Sequence, residues 1–193
     1  VEIAKIVDGQ WTDLAGPVPF NAKSLAQASL PATDEAAAMA FRKQVTDAYR
    51  ALVGANSVAG DARNRIRHLR QAVLDTPGED RRALLDDLDT IEAAIMDLQD
   101  VFHGDRTVSR RAEATLPGLS GRINRVVMGF WTTSSAPTTT MRDNYTIVAN
   151  ELPGVIDALR EIVEVDLAAV ESTIEAQGGP WTPGRMPVFP SGE

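Results

Sequence analysis

Between residues 33 and 74, apolar side chains recur at Phe41, Val45, Ala48, Leu52, Ala55, Ala59, Ala62, Ile66, Leu69 and Val73, in steps alternating four and three. This spacing keeps one stripe of a helix against a neighbour along its whole length. Gly54 and Gly60 fall inside the run, each costing up to about 1 kcal/mol against alanine. The stripe keeps its register across both, so one unbroken helix is expected, roughly 60 Å long at 1.5 Å per residue. Thr33 or Asp34 is placed to cap it, and Asp75-Thr76-Pro77-Gly78 ends it and turns the chain. A second helix over 79–102 carries Leu84, Leu88, Ile91, Ile95, Leu98 and Phe102 at the same spacing. Residues 104–117 are polar, basic and without period, which predicts a long loop. Leu119, Ile123, Val126 or Val127, and Phe130 mark a short third helix. A fourth, over 138–177, runs through Met141, Tyr145, Val148, Leu152, Val155, Leu159, Ile162, Leu167, Val170 and Ile174. Pro153 lies inside it, removes a ladder donor and should kink it. The predicted fold is mainly α: an up-down-up-down helical bundle with two very long helices and one short one. In that topology the first helix starts, and the fourth finishes, at the same end.

The first 30 residues follow another period. Val1, Ile3 and Lys5 alternate as in a half-buried strand, Asp8-Gly9 supplies a hairpin turn before Trp11, and Val18, Phe20 and Ala22 form a second alternating run. So small a strand segment is marginal alone. Val1 already reads as mid-strand, so residues 1–30 are expected to be the closing strands of an upstream β domain in a larger protein. Residues 31–178 form the bundle, and residues 179–193 an extended, proline-rich tail carrying Trp181 and Phe189.

Composition narrows the function classes. The 193 residues carry a net charge of −8, which argues against a nucleic-acid or anionic-membrane binder. There is no cysteine, hence no thiolate metal site, disulfide or cysteine nucleophile. No apolar run approaches the roughly 20 residues of a membrane span.

The candidate chemistry is sparse. A glycosidase needs two carboxyls about 5–10 Å apart across a cleft. Asp86, Asp87, Asp89 and Glu92 on the second helix, and Glu161, Glu164, Glu171 and Glu175 on the fourth, fall mostly off the apolar stripes, as on a solvated face. Asp100 and His103 have the spacing of one half of a di-metal bundle site, but no second such pair exists, so neither metal nor cofactor is expected. His68 has no nucleophile partner. Asn144-Tyr145-Thr146 matches a glycosylation sequon inside a helix. Arg63, Arg67 and Arg70 form a basic cluster with Arg65. In an antiparallel hairpin turning near residues 76–78, Arg63 would lie near Glu92, Arg67 near Asp89 and Arg70 near Asp86. Leu69 would sit beside Leu84–Asp87 and Ile66 beside Leu88–Ile91. These arginines, with Trp181 and Phe189, are the candidate interaction surface. Trp181 is expected to pack against the base of the bundle or the strands around Trp11 and Phe20.

Three stretches carry a resemblance. Leu14-Ala15-Gly16-Pro17-Val18-Pro19-Phe20 leads into the acid-started long helix, Arg67-His68-Leu69-Arg70 lies on the first helix pair, and Gly179-Pro180-Trp181-Thr182-Pro183-Gly184-Arg185 ends the chain. Together they resemble the C-terminal region of bacterial BNR-repeat proteins with a sortilin-like (VPS10-type) β-propeller, often labelled glycosyl hydrolases. The resemblance implies an upstream propeller, a β-sandwich whose last strands are residues 1–23, and export of the parent protein to the periplasm, cell surface or medium. The expected function is a non-catalytic helical module that supports or extends the propeller and helps it hold a protein or peptide partner; the alternatives are a structural brace for a glycan-acting hydrolase whose active site lies upstream, and an independent bundle that self-associates through leftover apolar surface. The propeller's Asp-box is absent here, so no catalytic residue is assigned.

Overall fold

A computed structural model of the chain describes residues 1–21, 30–78 and 80–189. Ala22 of the second alternating run, the expected second-helix start at residue 79, and residues 190–193 of the tail lie outside them. The chain forms two compact units, Val1–Pro31 and Ala32–Glu193.

In the first unit, β1 (Ile3–Val7) pairs antiparallel with β2 (Gln10–Ala15). Asp8 and Gly9 both adopt positive φ, at 51° and 76°, as a two-residue hairpin turn twisted to match its strands requires. That turn sets Val7 directly opposite Gln10, as the expected hairpin before Trp11 requires, while residues 18–20 of the further alternating run form no strand. Val18 still joins the ribbon, donating its N–H to the Val1 carbonyl at 2.9 Å.

The second unit opens with α1 (Glu35–Asp75), a single 41-residue helix. Asp34 caps it by accepting the Ala37 N–H at 2.8 Å. The helix passes Gly54 and Gly60 unbroken, and every residue of the expected stripe is buried except the half-buried Ala48. α2 (Arg81–His103) buries Leu84, Leu88, Ile91, Ile95 and Phe102 against it.

The connection after α2 departs from the expected long loop. Asp105 accepts the N–H groups of Thr107 and Val108 and starts a short helix, α3 (Arg106–Arg110). The chain then returns to its starting point. A Cβ on Gly118 would lie 2.4 Å from the Gly104 nitrogen and 2.7 Å from the Phe102 carbonyl oxygen, so only glycine permits this approach. α4 (Leu119–Thr132) therefore begins where α2 stops. It carries Leu119, Ile123 and Val126 into the same core.

This junction changes the topology. Phe41, near the start of α1, stacks edge-on against Phe130 at the end of α4 and against Tyr145 at the start of α5 (Thr139–Glu161), with centroids 5.8 and 5.3 Å apart. At the other end, Gln177 donates to Asp80 at 3.0 Å. Thus α2 and α4 run in the same direction as two halves of one rod, and α5 runs parallel to α1. The unit remains a helical bundle, but with three rods rather than four alternating ones, and the tail emerges at the opposite end from the start of α1. The loop between α2 and α4 returns to Gly104, and α4 leaves it in the direction of α2, toward Phe41.

The last rod continues α5 through Pro153 without interruption. Its ladder changes at a π-helical turn, Ile162–Asp166, before α6 (Leu167–Ala176). The Leu167 N–H bonds the Ile162 carbonyl, five residues back. The sequence carries the cause: its apolar stripe steps by five from Ile162 to Leu167. In a regular helix that step would swing the stripe off the core, and one inserted residue restores it.

Candidate functional site

The expected arginine pairing holds in kind and shifts in register. Arg63 donates to Gln99 at 3.2 Å and lies 4.0 Å from Glu92. Arg70 engages Glu92 at 2.6 Å and Asp89 as well, rather than Asp86. Arg67 bonds Asn64 on its own helix at 2.5 Å and not Asp89. The shift follows from side-chain direction. Helical side chains lean toward their own N-terminus, so on antiparallel helices Arg70 reaches away from the turn and Glu92 reaches back toward it. The carboxylates of Glu92 and Asp89 hold the Arg70 guanidinium above its ordinary pKa, so Arg70 is neutralised from within the bundle, while Arg67 has a neutral partner.

The tail is fixed by a charge, not by its aromatic residues. Trp181 stays 41% exposed and Phe189 91%. Instead Arg185 grips Glu175 through two bonds of 2.6 and 2.7 Å. That contact holds the Glu175 carboxyl below the usual range. Gly178 adopts φ +74°, the left-handed conformation that commonly ends helices, and sends the tail back along α6.

Beneath Arg185 lies Glu171, expected on a solvated face and in fact 3% exposed. Arg65 of α1 donates to its Oε1 from Nε at 3.2 Å and from Nη2 at 2.9 Å, and reaches the Val163 carbonyl at 3.5 Å. Arg185 Nε lies 3.9 Å from its other oxygen. A buried carboxylate is tolerated only with such partners. The sequence signal was available: Leu167, Val170, Glu171 and Ile174 are spaced i, i+3, i+4, i+7, which places Glu171 on the apolar stripe.

Sequence reasoning also missed a groove between α1 and α5. Two depressions of about 540 and 330 Å³ share Ala51 and Ile156, and extend from Gln44 and Tyr145 to Val163 and Glu164. The floor is apolar, with Ala48, Ala55, Leu152 and Leu159. A Cβ on Gly54 would meet nothing within 4 Å. Ala51, Gly54 and Val58 form a second line beside the main stripe, the pattern that marks such a groove.

Two of the remaining candidates, His103 and Asn144, have structural partners. His103 Nε2 lies 3.0 Å from Asn56 Oδ1. Among the described residues no group of three or more His, Cys, Asp or Glu converges on a metal position. Asn144 is buried and donates its amide to the Thr140 carbonyl at 2.8 Å, so the folded chain does not present this sequon. The described helices include none long and apolar enough to cross a membrane. Comparison with family models, curated proteins and solved structures yields no match.

Proposed function

We propose that this chain is a non-catalytic helical module that supports or extends an upstream β-propeller and serves protein or peptide recognition, in a parent protein exported from the cytoplasm. One observation carries the reading: the two aspartates bordering the bundle's open groove are paired with neighbours on their own helices. Asp47 is bonded by Lys43 at 2.8 Å and Asp157 by Arg160 at 2.6 Å. The bond from Lys43 lowers the Asp47 pKa. A glycosidase acid needs the opposite, a carboxyl kept protonated by a raised pKa. On this reading the groove offers apolar contact area to a partner. The test is to produce the parent's preceding region and this chain as separate polypeptides. The reading expects them to co-elute and the chain alone to hydrolyse no glycoside. Turnover by the chain alone, abolished by Asp47→Asn or Asp157→Asn, would overturn it.

A further inference from the structure

We propose that the excursion between α2 and α4 is a proteolytic processing site: an endoprotease that reads paired arginines hydrolyses the Arg111–Ala112 bond, and the two pieces stay assembled. Water adds across that amide, leaving a carboxylate on Arg111 and an ammonium on Ala112, with no change of oxidation state. The site does not depend on what the bundle supports.

The excursion is not needed to join the helices. Gly104 and Gly118 already abut: a Cβ on Gly118 would lie 2.4 Å from the Gly104 nitrogen, and one on Gly104 3.0 Å from the Leu116 carbonyl oxygen. Residues 105–117 leave this point and return to it, and none of them is buried. Compact surface loops whose ends meet in this way often carry function. A cut in the loop leaves the core in place, because Phe102 before it and Leu119 after it are both buried in the same cluster.

Local stability places the cut. The hydrogen bonds of α3 are all short-range. Asp105 accepts from Thr107 and Val108 through its side chain and from Ser109 through its carbonyl, Arg111 donates to Val108, and Ala112 donates to Ser109. Opening them uncovers no buried side chain, so the extended form that a protease cleft takes is reached at little cost. Ala112 also holds φ +57°, which residues other than glycine adopt rarely, and extension relieves it. Among the described residues, nothing bonds the guanidinium of Arg110 or Arg111, so both can enter acidic specificity pockets.

The chain carries its own control. Arg81-Arg82-Ala83 repeats the tripeptide Arg110-Arg111-Ala112. It opens α2, however, where Arg81 bonds the Thr76 carbonyl at 3.3 Å and the next residue, Leu84, is buried. The other basic pair, Arg42-Lys43, lies inside α1, with Arg42 bonded to the Thr133 carbonyl at 3.0 Å. Cutting at either pair requires unwinding a helix that is packed on the core.

The test treats the full chain with a dibasic-specific serine endoprotease at low ratio and follows cleavage by intact mass. Fragments 1–111 and 112–193 should appear first, at least about tenfold faster than products of a cut after Arg82 or Lys43. They should elute together from a sizing column with the helical signal kept. Arg111→Gln leaves the backbone bonds of α3 in place and should slow this cut at least about tenfold, since the cleft loses its charged anchor. Equal cutting at Arg82–Ala83, fragments that elute apart, or undiminished cutting of Arg111→Gln would each overturn the site. So would an intact chain under conditions that cleave a free peptide carrying residues 107–115.

Discussion

The two ends of the helical unit are held by different physics. Where α1 starts, Phe41, Phe130 and Tyr145 meet edge to face. Arg42 stacks on Phe130 and Arg142 on Phe41 at about 5 Å. Toward the other end, α1 and α6 are joined through Arg65 and Glu171, and the tail through Arg185 and Glu175. An aromatic cluster excludes water and is indifferent to pH in the ordinary range. An ion-pair network works only while its carboxylates are charged, and its exposed members are weakened by salt. One end is therefore built to stay shut, and the other to hold a segment that solution conditions can release.

The largest expected effect tests the aromatic end. Phe41→Ala removes the ring shared by both stacking contacts at a site 7% exposed, and should lower stability by about 3–4 kcal/mol in urea unfolding. A loss below about 1 kcal/mol would show that the cluster is ornamental. Glu171→Ala comes next. It leaves Arg65 without its main acceptor, and should cost about 2 kcal/mol, with faster amide exchange near Val163. If exchange rises only near Phe41, the two ends are not independent. Arg70→Ala should cost no more than about 1 kcal/mol, since its pairs are partly exposed; a larger loss would move that cluster from surface register to core support.

The smallest effect on global stability concerns pH. Arg185 holds the Glu175 carboxyl below its usual range, so this contact is fully present above the ordinary glutamate pKa. It is lost as pH falls through the lowered, folded value. Tail release, followed by the Trp181 indole resonance, should begin only below about pH 4, while resonances of the Phe41 cluster stay put. Release between pH 6 and 7 would assign the clamp to another group.

Much of the helical architecture was legible because it is local. The four-three spacing from Phe41 to Val73 determined α1 and its buried face, and the glycines at 54 and 60 did not interrupt it. Even the π-turn was written in the five-residue step between Ile162 and Leu167. Periodicity reports which face of a helix seeks cover, but it says nothing of which neighbour supplies that cover or in which direction that neighbour runs. Three features depended on the tertiary structure. Gly118 packs onto the backbone at Gly104, which makes α4 continue α2 and sends the tail to the far end of the bundle. Side-chain lean sets Arg70 opposite Glu92. The groove between α1 and α5 exists only once both rods are packed, because its floor is made of residues that each helix alone would leave in water.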